Sequence, residues 1–526
     1  MPAGRDEDAT LASRTFPPMH RAVGRPRGKT QTFRDLVRQR LGDETGRIDK
    51  DAPHAVALAY PSPYAAGMSS LGFQRIYRSV QELDGFVCHR AFLADGGDEP
   101  GAQVTDVFTY EALRPLSSYR VVCVSVAYEL EIAGLVRMLD AAGIPINRRD
   151  RGPEHPFLLL GGPLTFSNPA PLLGYADAII MGEAEELVGP ALDALYTAET
   201  REAQLEGLAK LPSITVPALH GSELASIAAI DDELLPAWGP IRTPHAEFAN
   251  MFLIETERGC SRGCKYCVMR RSTNGGMRIV PKEKILGLIP SDTPKVGLVG
   301  AAVSDHPKIV EIINALADQG KQVGLSSLRP DRMNDDFVAA LARGGYRTLT
   351  TAMDGTSQKV RALLERKAKE PQLERCAQLV RKHGMDRLKL YLMIGTPEET
   401  AEDVEECVRF TTELSKIAPI SLGIAPFVSK RNTPLDGLPF AGIDVVQDRL
   451  EQLRRGVKGR VDIRSTSAKW AWVEWVLAQG GEAEGLAVAE AVRAGGTFAD
   501  YKRTFRALEE RGTRSPLVRK LPVVAA

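Results

Sequence analysis

The stretch ETERGCSRGCKYCVMR, residues 255–270, sets Cys260, Cys264 and Cys267 within eight residues, directly after the apolar run FLIETERG at 252–259. The run reads as a β-strand and the cysteines as the loop that follows it. Cys-x3-Cys-x2-Cys supplies three thiolates and no fourth. A cubane iron-sulfur cluster held this way keeps one iron without a protein ligand, and an open position is how a metal centre accepts a substrate. A structural zinc site needs a fourth ligand close by, and no His or Cys occurs between 268 and 305. The other cysteines, Cys88, Cys123, Cys376 and Cys407, are scattered and read as small buried hydrophobes. Seven cysteines in a chain of 526 residues argue against a disulfide scaffold.

Downstream of the thiols, short apolar runs recur at 295–301, 322–328, 347–353, 387–395 and 420–427, separated by amphipathic helical stretches. Together with 252–259 they make six βα units within 247–445. That fits an open, six-stranded partial (β/α) barrel better than a closed eightfold barrel, which takes about 250 residues. Chemistry in such a barrel sits at the carboxyl ends of the strands. The segments LEQLRRGVKG, WAWVEWVLAQGG and FADYKRTFRALEE then predict a helical C-terminal region over 446–526.

Upstream, HAVALAY (54–60), YRVVCVSVAY (119–128), PFLLLGG (156–162) and ADAIIMG (176–182) read as buried parallel strands, with a helix in EIAGLVRMLDAAGIP. They predict a doubly wound, Rossmann-like α/β domain over 52–195 whose ligands bind at the strand ends, in the turns at 61–72, 161–172 and 182–186. Residues 196–246, punctuated by Pro and Gly, read as a linker. Residues 1–50 read as a basic arm, because eight Lys or Arg fall between Arg14 and Arg40 and GRPRG at 24–28 interrupts regular structure.

At 44% hydrophobic and 25% charged residues the chain can bury large cores. No run of about 18 apolar residues marks a membrane span, and the amino terminus has no apolar stretch of signal length, so a cytoplasmic location is expected. Lys plus Arg and Asp plus Glu both number 67, which gives no electrostatic argument for a nucleic-acid partner.

Cys-x3-Cys-x2-Cys with the aromatic Tyr266 before the last cysteine resembles the signature of the radical S-adenosylmethionine (SAM) superfamily, and the likeness extends over about 250–440. It implies a 4Fe-4S cluster on the three cysteines, SAM bound to the open iron through its amino and carboxylate groups, and reductive cleavage of SAM to a 5'-deoxyadenosyl radical. It also implies a low-potential electron donor such as flavodoxin or ferredoxin. The second strand ends in Gly300, Ala301 and Ala302, where the family usually carries a Gly-Gly-Glu-like turn for the SAM amino group. The acid is missing here, and Asp305 stands near in sequence. Ser326, Ser327 and Arg329 resemble residues that approach ribose or carboxylate. Asp354 stands where related proteins show Glu, and Arg366 and Lys367 follow as carboxylate partners. Gly395 and Pro397, in IGTPEET, would flank adenine.

The 52–195 domain resembles the cobalamin-binding domain that precedes the barrel in a large branch of that superfamily, through VVCVSVAYELEIAGLVRMLDAAGIP, LLLGGPLTFSNP and DAIIMGEAEE. It lacks the Asp-x-His-x-x-Gly sequence that places a histidine on cobalt, and His89 falls outside the strand-end turns. Two enzymatic readings follow: cobalamin-dependent methylation of an unactivated carbon, or a radical rearrangement, oxidation or coupling without cobalamin. A non-catalytic iron-sulfur protein is a third reading. A methylthiotransferase is disfavoured, since Cys88 and Cys123 are too few for a second cluster. The substrate, and the residues that act on it, are not legible in the sequence.

Overall fold

Strand β1 (His54–Pro63) is buried over its last eight residues, as expected of a parallel strand covered on both faces. It pairs in parallel with β2 (Phe86–Leu93) on one side and β3 (Val121–Ser125) on the other. Strands β4 (Phe157–Gly161) and β5 (Ala178–Ile180) extend the sheet, and the antiparallel β6 (Ile214–Thr215) closes it, in the order β2-β1-β3-β4-β5-β6. The winding reverses between β1 and β3, which makes their carboxyl ends the switch point of a Rossmann-like sheet. This computed structural model describes residues 32–269, 276–326 and 328–512.

The strand β2 was not expected, because Arg90 and His89 interrupt its hydrophobic text; tertiary pairing satisfies both. Arg90 is fully buried against Glu44 and Glu111, and His89 Nδ1 lies 2.7 Å from the Tyr119 hydroxyl. Burial lowers the His89 pKa, as befits a neutral packed imidazole. Of the basic arm, residues 1–31 lie outside the described residues. From Thr32 the chain is already structured: Thr32 caps the helix Phe33–Gly42, Val37 is buried, and Arg40 reaches Asp95 at 2.7 Å and the Tyr110 hydroxyl at 2.7 Å.

One face of the sheet packs on helices Leu71–Glu82, Val188–Thr197 and Arg201–Ala209. The other face carries Glu131–Ala141 and, from the far end of the chain, helices Ala468–Gln479, Glu482–Arg493 and Phe498–Glu510. Val473, Leu477, Val488, Tyr501 and Phe505 share one core with Ala57, Ala59, Leu158 and Leu160. Asn168 clamps this joint by donating to the carbonyls of Leu477, Ala478 and Gly480 at 3.2, 3.1 and 2.8 Å.

The second half begins with β7 (Met251–Glu255). The run read as one strand over 252–259 breaks at Thr256, whose N–H bonds to the Val299 carbonyl at 2.9 Å. It resumes as β8 (Glu257–Gly259), antiparallel to β9 (Met277–Ile279). Strands β10 (Lys295–Val299), β11 (Gln322–Leu325), β12 (Thr348–Asp354), β13 (Arg387–Ile394) and β14 (Ile420–Pro426) follow in parallel, joined between β11 and β12 by the bridge of Leu328 to Thr351. A further parallel strand, β15 (Asp462–Ser465), pairs with β14. Among the described residues the partial barrel therefore has seven parallel strands, β7-β10-β11-β12-β13-β14-β15, where six were expected. DIRS is a polar edge strand, and only its neighbour defines it.

Candidate functional site

The cysteine loop is the connection between β8 and β9. The pairing of these two short strands, with Cys260 N–H donating to the Gly276 carbonyl at 3.0 Å, closes the loop on itself. On its other side the loop docks on the end of the short helix Gln358–Leu363 that follows β12: Lys265 N–H donates to the Leu364 carbonyl at 3.1 Å, and the Cys264 thiol lies 4.0 Å from the Glu365 carbonyl. Cys264 is buried and the other two cysteines are half-buried. Burial, with Cys264 and Cys260 beside it, pushes the Cys267 thiol up to about 11; burial and then Cys264 also raise Cys260. Thiols gathered in one loop in this way suit a cationic metal centre, which would deprotonate them outright. Among the described residues no three His, Cys, Asp or Glu side chains converge on a point suited to one ion. A cubane asks for no such convergence, because each thiolate takes its own iron. The donor set fits a cluster with one open position.

Behind the loop, Tyr266, Asp354 and Arg366 form one group. Asp354 ends β12 in a left-handed conformation, φ 61°, at a strand irregularity, and its carboxylate lies 2.7 Å from Arg366 Nε. Burial drives the Tyr266 phenol well above its ordinary value, and the neighbouring Asp354 carboxylate adds to that. Burial works against the Arg366 charge, but Asp354, Tyr266 and Cys264 outweigh it and keep the guanidinium protonated. Arg366 also donates to the Ala352 carbonyl at 3.1 Å.

Gly300 and Ala301 follow β10, and Ser326 Oγ donates to the Gly300 carbonyl at 3.0 Å. Ser327 lies outside the described residues. Arg329 is buried with its charge engaged by Asp305 and Asp331, and its N–H donates to Ser304 Oγ at 3.1 Å. Lys367 is exposed, with no ion pair among the described residues. Gly395 (φ 75°) and Pro397 sit in the turn after β13, which the buried Glu399 organises: Glu399 accepts from Gly395 N–H at 3.0 Å and is held by Arg449 at 3.0 Å.

Sequence reasoning missed the groups that tie the two halves together. Arg258, on β8 two residues before Cys260, pairs with Glu185 at 2.9 Å and Glu183 at 3.5 Å, both in the turn after β5, and with Glu255 at 2.7 Å. After β14, Lys430 pairs with Glu129, beyond β3, and with Glu474, each at 2.7 Å. Asn432 donates to the Phe166 carbonyl, beyond β4, at 3.1 Å. The contacts of Arg258 with Glu185, Lys430 with Glu129 and Asn432 with Phe166 each join a carboxyl end of the Rossmann-like sheet to a carboxyl end of the barrel, so the two strand-end edges face each other. DAIIMGEAEE contained part of this signal, but nothing in the text named its partner.

The small-residue turns of the first domain are largely filled by protein. A side chain at Gly67 would strike the Phe92 ring, one at Gly162 the backbone of Val126, and one at Gly182 both Ile227 and Ala228. Ser125, Ala127, Gly161 and Gly162 stay half-exposed at the edge facing the barrel. No histidine of the described residues stands at the carboxyl end of β1, β3, β4 or β5.

Residues 72–217 match the family described as radical SAM proteins, N-terminal, and residues 254–411 match the radical SAM superfamily. The chain is 27% identical over 395 residues to "Uncharacterized protein MJ0966" of Methanocaldococcus jannaschii, covering 72% of this chain and 79% of the relative. Its fold is similar to the radical SAM methyltransferase TsrM of Kitasatospora setae solved with cobalamin and a [4Fe-4S] cluster, at 14% identity and TM-score 0.51, over 76% of this chain and 78% of that one. The same enzyme with tryptophan substrate and a SAM analogue matches at 15% identity and TM-score 0.50, over 75% and 76% of the two chains. With the superfamily's core running from the cysteine loop and its N-terminal companion ahead of it, the chain belongs to the radical SAM superfamily, as an enzyme with a Rossmann-like domain before the barrel.

Proposed function

We propose that Cys260, Cys264 and Cys267 hold a 4Fe-4S cluster, that SAM binds its open iron, and that the Rossmann-like domain holds cobalamin, with no protein histidine on cobalt, for methylation of an unactivated carbon. Bound in this way, the groups would supply a 5'-deoxyadenosyl radical and a methyl carrier. The observation that carries the reading is the facing of the two strand-end edges through Arg258, Lys430 and Asn432, which sets anything held on the sheet against the barrel mouth. The fold shared with TsrM, solved with cobalamin and a cluster, supports it.

The chain's own residues divide the remaining work. Tyr266, Asp354 and Arg366 fix the cysteine loop from behind. Ser326 approaches the ribose, and Gly395 and Pro397 flank adenine. Of the cations assigned to the SAM carboxylate, Arg329 is taken by two aspartates and Arg366 by Asp354, which leaves Lys367 for that contact. Flavodoxin or ferredoxin would serve as electron donor.

A second reading, radical chemistry without cobalamin, has one observation in its favour: Gly67, Gly162 and Gly182 are occupied by packing against the chain itself. Anaerobic reconstitution with iron, sulfide and cobalamin, followed by gel filtration and an optical spectrum, separates the two. Retained cobalamin together with 5'-deoxyadenosine production is the expected result. A cluster-loaded protein that makes 5'-deoxyadenosine and retains no cobalamin would establish the second reading. Replacing all three cysteines with Ala should abolish the cluster's absorption and EPR signal, and full retention of iron and sulfide would remove the cysteines from the site.

A further inference from the structure

The turn after β10 lacks the acidic residue that an ammonium group would seek there, yet the structure puts a carboxylate under it from another strand. Glu257, on β8 and three residues before Cys260, is fully buried. Its Oε1 accepts from the Ala302 N–H at 2.6 Å. Its Oε2 is buried with no hydrogen-bond partner, and no cation pairs with it among the described residues. The neighbouring acids are already engaged: Glu255 with Arg258 at 2.7 Å and Ala237 N–H at 2.9 Å, Asp305 with Arg329, with Arg332 at 3.0 Å and with Ser261 at 3.0 Å. The glycine at 300 makes the arrangement possible, since a Cβ there would lie 2.0 Å from Glu257 Oε1. A buried carboxyl with one free oxygen, no counter-charge and acids around it is costly unless a cationic donor completes it. Burial, with Glu255 and Asp305 adding to it, raises its pKa to about 8 in the ligand-free protein.

We infer that Glu257 is the acceptor for the α-ammonium of SAM, in place of the acid missing from the 300–302 turn. This rests on the reading of the cysteine loop as a SAM-binding cluster site. Glu257 is a binding and positioning residue: its Oε1 keeps the turn in place through Ala302, and its Oε2 meets the amine beside the cluster loop.

The test is equilibrium dialysis on anaerobically reconstituted full-length protein with three probes: SAM, its desamino analogue, which keeps sulfonium and carboxylate, and 5'-methylthioadenosine. Glu257→Gln keeps an oxygen for the Ala302 N–H and removes the charge. It should weaken SAM binding about ten- to a hundredfold, the range of one charge-assisted hydrogen bond. Binding of the desamino analogue and of 5'-methylthioadenosine should change less than threefold, with iron and sulfide content as in the wild type. Unchanged SAM affinity in Glu257→Gln, or an equal loss for all three probes, overturns the assignment. Loss of the cluster in this variant also overturns it, by making Glu257 part of the cluster's own support. If the wild type with its cluster intact fails to bind SAM, the underlying reading of the site falls instead.

Discussion

Glu131 shows how a single buried carboxyl ties the switch point to pH. It lies at the start of the helix Glu131–Ala141, fully inside, and accepts from the Ala127 N–H at 2.6 Å and the Ser62 hydroxyl at 3.4 Å. Burial raises its pKa from 4.5 to about 7, although these hydrogen bonds favour the ionised form. Between those two values the folded protein keeps a proton that the unfolded chain has released, so the folded state loses stability as pH rises through this window. Glu131→Gln, always neutral, should escape the loss. Its urea midpoint relative to wild type should improve between pH 5 and pH 8, by a difference on the order of 3 kcal/mol. An identical difference at both pH values would show that Glu131 ionises in the folded protein as it does in the unfolded chain. His89, the histidine singled out from the first domain's sequence, is spent on Tyr119.

Among the elements, the C-terminal helices show how closely backbone packs on backbone. Helix Glu482–Arg493 crosses the 170–174 turn so closely that a Cβ on Gly485 would lie 1.9 Å from the Pro171 carbonyl oxygen, while Leu486 presses on Gly174. The Tyr175 hydroxyl donates to the Gly485 carbonyl in the same joint. Gly485→Ala must push the helix off the turn, because a backbone carbonyl cannot swing aside as a side chain can. A destabilisation of about 1–3 kcal/mol is expected, read from urea unfolding at neutral pH. An unchanged midpoint would mean that the helix is seated less closely than this. The β8–β9 pairing is the counterpart in the barrel: two three-residue strands, too short to be read from sequence, that close the cysteine loop.

At the scale of the molecule, the first domain is not complete without the last 45 or so described residues. Its sheet face at Ala57, Ala59, Leu158 and Leu160 is covered by Val473, Leu477, Val488, Tyr501 and Phe505. A chain ending at Thr466 should therefore expose this face: it should bind the dye ANS strongly, aggregate, and lose the near-ultraviolet signal of its first domain. A soluble, dye-negative truncation would show that 52–195 stands alone. The same closure sets the two strand-end edges against each other, with Lys430 pairing across the gap to Glu129.

The cysteine spacing, the apolar runs of β1, β3, β4, β10, β13 and β14, and the helical text near the C-terminus each carry local periodicity or motif chemistry, so the sequence by itself determined the two α/β halves and the superfamily. Strands β2 and β15, with Arg90, His89 and a polar DIRS, became strands only because neighbours pair with them and satisfy their polar groups. The tertiary structure alone decided that Glu257 lies beneath the 300–302 turn, that Arg329 is neutralised by Asp305 and Asp331, and that helices 468–510 cover the sheet that begins at 54. Apart from Asp331, two positions from Arg329, these partners lie tens to hundreds of positions apart, and no local pattern encodes which buried charge will meet which partner.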